Sequence, residues 1–171
     1  MALIVEDGSG LVDAEAYLSV ADAAAYHLKM GNRDAWALVG NEVAKEAMLR
    51  QATEFMRNRY LNRWIGRATV AAQRLDWPRV GAYTRNYNVI ASTLVPEQVK
   101  NACAELALKA ASGELMPDSS QGVKREVIGP IEVEYDQYSS GAPGYPRIDA
   151  MLAGLLVVGG VSGPNMPLMR T

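Results

Sequence analysis

The sequence predicts a mainly α fold: a small antiparallel helical bundle with a short β-hairpin and an extended C-terminal arm. Three observations carry that prediction. Residues 41–61 and 96–113 each repeat apolar side chains at three- and four-residue spacing, the mark of a one-faced helix. Between them, residues 73–81 read Gln-Arg-Leu-Asp-Trp-Pro-Arg-Val-Gly, where proline stops any helix and forces the residue before it to be extended. Beyond Gly113 the composition shifts to Gly, Pro and Ser, with only short apolar pieces left. The domain division expected from this shift is a bundle over 1–138, its hairpin at 123–136, and a Gly/Pro-rich arm over 139–171 with a short apolar helix.

Residues 2–17 read as an N-terminal arm: Leu3, Ile4 and Val5 suit a short strand, and Asp7-Gly8-Ser9-Gly10 is turn chemistry. The first helix starts at Ser19, with Asp22 in capping-box spacing, and stops at Gly31-Asn32. One further turn at 34–38 is expected to present Trp36 and Leu38 to the core. The second helix runs from an Asn41 cap to about Leu61, burying Ala44, Met48, Leu49, Ala52, Phe55, Met56 and Tyr60, with Glu46 and Arg50 paired outside. Lys45 and Arg59 fall on its apolar stripe and are expected to snorkel at the rims.

The stretch 73–81 is the expected core joint. Leu75 and Trp77 are two apart, so in an extended chain both face one way, and Pro78 fixes the break. Residues 82–90 suggest a hairpin-like loop. The third helix opens at Pro96 and buries Val99, Ala102, Cys103, Leu106 and Ala110, leaving Glu105 and Lys109 as an outer pair. Residues 124–128 and 131–135 read as two strands about Gly129-Pro130, with Ile131, Val133 and Tyr135 on one face. In residues 148–158, Ile148, Met151, Leu152, Leu155 and the adjoining Leu156 make an apolar face. It either folds back on its own bundle or meets a partner.

The chain holds one histidine, His27, and one cysteine, Cys103. A serine or cysteine nucleophile lacks a plausible base, and no zinc ligand set can be assembled. No phosphate loop or nucleophile elbow occurs. The expectation is therefore a non-enzymatic protein with no catalytic residues, no cofactor and no metal. No apolar run reaches the roughly 20 residues of a membrane helix, and no membrane association is expected. With a single cysteine, the reducing cytoplasm is the default compartment. The net charge is −2, yet charge alternates along the chain. Residues 1–34 are acidic, 45–85 carry a run of arginines including Arg57, Arg74, Arg79 and Arg85, and 105–149 are acidic again. Three readings stand: nucleic-acid binding by the middle third, charge contacts between subunits, or a solvated surface.

Several short motifs occur in a telling order: Ala-Leu-Ile-Val-Glu-Asp-Gly-Ser-Gly (2–10), Tyr17-Leu18-Ser19-Val20, Trp36, Leu75-Asp76-Trp77-Pro78-Arg79, Val95-Pro96-Glu97-Gln98-Val99-Lys100, and Val127-Ile128-Gly129-Pro130-Ile131-Glu132-Val133. In this the chain resembles a family of small tailed-phage proteins labelled DnaT-like single-stranded-DNA-binding protein. It is also similar to head–tail adaptor (connector) proteins of long-tailed phages. The adaptor resemblance implies a structural virion protein at the head–tail interface, assembled in the host cytoplasm. Such a subunit forms a ring, commonly of twelve copies, under the portal protein. The ring extends the channel for packaged double-stranded DNA, which passes without sequence reading, and docks a tail-side completion or terminator protein. Carried onto this chain, Ile131, Val133, Tyr135, Ile148, Met151, Leu152, Leu155 and Leu156 become candidate portal, tail or subunit contacts. Arg57, Arg74, Arg79 and Arg85 become candidate intersubunit charge contacts. The alternative implied function is a single-stranded-DNA-binding replication accessory, with Arg63, Trp64, Arg67, Arg74, Trp77, Arg79, Tyr83, Arg85 and Tyr87 as the groove and its stacking platforms.

Overall fold

A computed structural model of the chain describes residues 2–117, 125–128, 131–134 and 144–157. Five helices make the body: α1 (Val20–Lys29), α2 (Arg33–Leu38), α3 (Glu42–Tyr60), α4 (Glu97–Ala110) and α5 (Pro146–Leu152), the last running on into a 3-10 turn at Ala153–Leu155. Two small antiparallel sheets accompany them, β1 (Arg67–Ala68) with β2 (Arg79–Val80), and β3 (Arg125–Ile128) with β4 (Ile131–Glu134). The mainly α bundle with a short hairpin is thus the observed architecture. Arg125 pairs with Glu134 and Ile128 with Ile131, the antiparallel strand pair that the sequence suggests; the expected turn residues 129–130 lie outside the described residues.

Helices α1 and α3 begin where their caps dictate. The Ser19 hydroxyl accepts from the Asp22 N–H at 3.1 Å while the Asp22 carboxylate reaches back to the Ser19 N–H, the reciprocal pair of a capping box. The Asn41 side chain accepts from the Ala44 N–H at 2.9 Å and starts α3. Helix α3 buries Leu49, Ala52, Phe55, Met56 and Tyr60 along α4, which offers Val99, Ala102, Cys103 and Leu106. Glu46 and Arg50 pair outside at 3.3 Å as expected, and Arg50 also holds Glu15 of the N-terminal arm at 2.9 Å.

That arm is folded onto the bundle rather than hanging from it. Val5 bridges to Ala16, and the buried Glu6 carboxylate accepts three N–H groups, from Gly8, Gly10 and Leu11, each at 2.9 Å. A carboxylate saturated by backbone donors acts as a loop template. Gly8 is required there: at φ +100°, an added Cβ would sit 2.0 Å from the Thr93 carbonyl oxygen.

Two local expectations need correction. Leu38 was expected in the core beside Trp36; Trp36 is buried but Leu38 is 86% exposed. Residues two apart on a helix point about 200° apart, so one turn cannot bury both. Glu105 was expected to pair with Lys109 outside, but it is buried, because α5 covers a second face of α4 that the apolar stripe does not announce. Lys109 lies instead over the Tyr145 ring, 5.7 Å from its centroid.

Candidate functional site

The joint at residues 73–81 builds itself around polar side chains that serve the backbone. Trp77 and Pro78 are fully buried and Leu75 is buried beside them, as the spacing predicts. The Trp77 ring meets Trp64 edge-on at 6.0 Å, and Trp64 meets Tyr60 at 5.5 Å, so three aromatics link the joint to the end of α3. The Gln73 amide donates to the Leu75 and Pro78 carbonyls at 2.7 and 3.0 Å and accepts from the Val70 N–H at 2.9 Å. Arg79 donates to the carbonyls of Ile65 (2.7 Å), Gly66 (2.8 Å) and Asp76 (3.0 Å). Burial lowers the Arg79 pKa, opposed by the nearby Asp76. Asp76 accepts the Trp64 indole N–H at 3.1 Å, and burial raises its carboxyl above the usual range despite that bond and Arg79.

Gly66 lets this happen. At φ +70° its Cα passes so close to β2 that a Cβ would lie 2.7 Å from the Val80 carbonyl oxygen. Gly66 and Ile65 are thereby brought within reach of Arg79.

The candidate charge contacts therefore separate. Arg79, read from sequence as a candidate for meeting an acidic neighbour, is spent inside the subunit on three carbonyls, and so cannot serve in that role without breaking the joint. Arg57 pairs with Glu54 one turn away at 3.2 Å. Arg74 and Arg85 are exposed. Trp64 and Trp77, candidate stacking platforms, are enclosed.

The expected apolar contact set is also redistributed. Ile148, Leu152, Leu155 and Leu156 are buried in the subunit's own core, closing it over the ends of α3 and α4. They are not available as a free docking face, because an apolar helix of this size finds its nearest cover on its own bundle. Met151 is half-buried and lines a groove of about 240 Å³ with Arg85 and Gln98. The side chains of Ile131 and Val133, and all of Tyr135, lie outside the described residues.

The α5 segment is fixed by two polar clusters. Glu105 receives Arg147 at 2.9 Å and the Tyr26 hydroxyl at 2.9 Å. Burial and the Glu105 bond push the Tyr26 phenol up to about 12. Asp149 receives Arg59 at 3.0 Å and the Tyr60 hydroxyl at 2.6 Å. Burial alone would raise the Asp149 carboxyl, but those bonds outweigh it and hold it below the usual carboxylate range. Arg59, expected to snorkel, does so onto this carboxylate.

His27 sits in the core, its Nε2 3.1 Å from the Ala104 carbonyl and its ring on Trp36 at 4.9 Å. Burial lowers its pKa, so it stays neutral there. Burial pushes the Cys103 thiol up to about 11, beside Thr53 at 3.3 Å. Among the described residues no cluster of three or more His, Cys, Asp or Glu is placed to hold a metal ion, and no helix is long and apolar enough to cross a membrane.

What the sequence reading missed is on the surface. Leu28 of α1, Leu38 of α2 and Val43 of α3 are each exposed. Between α1 and α2, Ala24, Ala25, Leu28, Trp36 and Ala37 line an open groove of about 320 Å³, with Arg33 and Lys45 also on its lining. A second exposed feature is the loop joining Tyr83 to Val89, whose tip, Tyr87, is 88% exposed at φ +61°. Thr84 ties the loop by accepting from the Asn88 and Tyr87 N–H groups at 3.2 and 2.9 Å.

Comparison with curated proteins and with solved structures returns no match. Comparison with family models returns one described as "Putative DnaT-like ssDNA binding protein", which matches residues 1–171. The match spans the whole chain, joint, bundle and α5 alike, and the chain belongs to this DnaT-like ssDNA binding protein family.

Proposed function

We propose that the chain is a structural assembly subunit, a head–tail adaptor that forms a ring under the portal, extends the DNA channel and docks the tail. The observation that carries the assembly part is the open apolar groove between α1 and α2, lined by Ala24, Ala25, Leu28, Trp36 and Ala37, with Leu28 exposed to solvent. Exposed apolar area of this kind is a surface for protein partners. The enclosure of Trp64 and Trp77 supports the same reading by removing the two largest stacking platforms. The virion setting, the portal, the tail-side protein and the count of twelve are what the resemblance to head–tail adaptor proteins implies.

A second reading is single-stranded-DNA binding by a replication accessory. The family's description favours it directly. Tyr83, Arg85 and Tyr87, together on one exposed loop, are the side chains that fit it best, since single strands are held by aromatic platforms beside positive charge. Light scattering of the chain, alone and with a portal protein, separates the two readings when run beside a single-stranded-DNA titration at physiological salt. A ring or a portal complex without a DNA shift is the expected result. A monomer that ignores the portal and shifts single-stranded DNA would overturn the adaptor in favour of the second reading, and Tyr87→Ala should then abolish the shift.

A further inference from the structure

The groove between α1 and α2 has a composition that selects its occupant. Ala24, Ala25 and Leu28 of α1 and Trp36 and Ala37 of α2 make its apolar lining. The alanines are short and exposed, which leaves the walls low, and Leu28 is 60% exposed. The two remaining lining residues are cations, Arg33 and Lys45, and no carboxylate lies on the lining.

Those cations stand apart from the rest of the bundle. Helix α3 carries four: Lys45, Arg50, Arg57 and Arg59. Arg50 is matched by Glu15 and Glu46, Arg57 by Glu54 and Arg59 by Asp149. Lys45 has no ion-pair partner among the described residues, and neither has Arg33. The acids nearest to them in sequence, Asp34, Glu42 and Glu46, are not on the lining. Lys45 is half-buried, its ammonium 5.8 Å from the Trp36 ring centroid, so its charge is held beside the apolar floor. The groove thus sets positive charge against apolar surface with no answering acid of its own.

We propose that this groove receives an acidic segment of another protein, an apolar side chain entering between the alanines while carboxylates beside it meet Arg33 and Lys45. Charge complementarity sets the sign of such a partner, and the apolar anchor supplies its affinity. A hollow of about 320 Å³ is at the small end of the volumes that hold a ligand, about 300–1,000 Å³, so it takes an anchor side chain and its neighbours rather than a whole helix. It is concave and accepts an inserted group, whereas a membrane surface is met by an apolar face that enters the lipid. The inference rests on the protein-partner reading above and names the chemistry of that partner; the test keeps the two apart.

A displayed library of random peptides is selected against the folded chain. Enriched peptides should carry Leu, Ile, Phe or Met beside Asp or Glu. One such peptide, made synthetically, should lose about tenfold or more in affinity for the double variant Arg33→Glu with Lys45→Glu, and as much for Leu28→Asp. Selection against the charge-reversed chain should instead enrich Lys and Arg beside the apolar residue, which a merely damaged surface would not do. Should the double variant fail to fold by circular dichroism, Ala37→Glu, at an exposed lining position, sets a carboxylate in the groove and should weaken the acidic peptide as much. Enriched peptides without acids, binding that survives Leu28→Asp, or no enrichment at all would overturn the inference; a ring or portal complex seen by light scattering would still stand. The expected peptide binding, in a chain that forms neither ring nor portal complex, would support the inference and overturn the adaptor. Binding to vesicles of anionic phospholipid that Leu28→Asp abolishes, with no peptide enriched, would overturn it in favour of a membrane surface. A ring that Leu28→Asp dissolves, again with no peptide enriched, would make a second copy the occupant and overturn the outside partner.

Discussion

Tyr60 and Trp64 form a wall with a different neighbour on each side. On one side is the Trp77 joint, and on the other is α5 in its dock. The two regions bury similar apolar side chains but are fastened by different chemistry. The joint is fastened by Gln73 and Arg79 donating to backbone carbonyls 2 to 14 residues away in sequence. The α5 segment is fastened by Arg147 on Glu105 and by Arg59 and Tyr60 on Asp149, partners that are distant in sequence, 89 and 90 residues away in the case of Asp149. Local, carbonyl-directed bonds define a fixed shape. Paired charges with an apolar floor define a dock matched to the charges of this segment.

The largest expected effect is in the joint. Trp77→Ala should lower stability by about 3–5 kcal/mol, the usual cost of emptying a large aromatic site, read as the shift in equilibrium urea unfolding. Because the Trp77 indole N–H is buried with no partner among the described residues, Trp77→Phe should cost far less. Equal losses for the two would mean the ring's volume is not what holds the joint. On the other side of the wall, Leu152→Ala should cost about 2–4 kcal/mol by the same cavity argument.

Arg79 sharpens the comparison. Arg79→Met removes the donors to three carbonyls and should cost about 2–3 kcal/mol, since bonds from a charged donor are the stronger kind. Arg79→Lys should recover little of this, because one ammonium cannot match a planar fork reaching Ile65, Gly66 and Asp76. If Arg79 were instead a contact to an acidic neighbour, Arg79→Met would weaken association and leave the unfolding of the isolated subunit unchanged.

The two regions also differ in how far the sequence discloses them. Trp-Pro and the two-residue spacing of Leu75 and Trp77 give the joint's position and its burial, because extended backbone and proline are local properties. The use of Arg79 is hidden, since its acceptors come near only once Gly66 has turned the chain. Helices α1, α3 and α4 are legible from caps and periodicity, yet Glu105 is not: a stripe reports one buried face, and α5 makes a second. For residues 148–156 the sequence gives an apolar helix beyond a linker and leaves open what it covers. The groove beside the exposed Leu28 escapes because a lone exposed apolar residue carries no pattern, and only the fold sets it beside Ala24, Trp36 and Ala37.

The smallest expected effect is also the one that sets the two regions against each other in sign. Asp76 has a raised folded pKa, because its burial outweighs the Trp64 bond and the Arg79 charge. An acid so shifted favours the folded state most at low pH and loses that contribution as pH rises through its folded value. Asp149 is lowered, since Arg59 and Tyr60 overcome its burial. Its contribution is present above the ordinary carboxylate value of about 3.9 and is lost as pH falls through the lower folded value. Acidification below about pH 4 should therefore loosen α5 while leaving the joint in place. Hydrogen exchange of peptides covering 146–157 and 70–80, corrected for the intrinsic rate at each pH, reads the two separately. Protection should fall first in 146–157, and Asp149→Asn should lack protection there already at neutral pH and show a flatter pH profile. The buried neutral His27 must also take a proton in acid, and its lowered pKa destabilises the α1–α4 contact as pH falls. That loss acts on the bundle under both regions, so it moves both peptides together and leaves their difference to Asp149 and Asp76. Loss of protection in both peptides at one midpoint, unchanged by Asp149→Asn, would mean that α5 is no more separable from the bundle than the joint is.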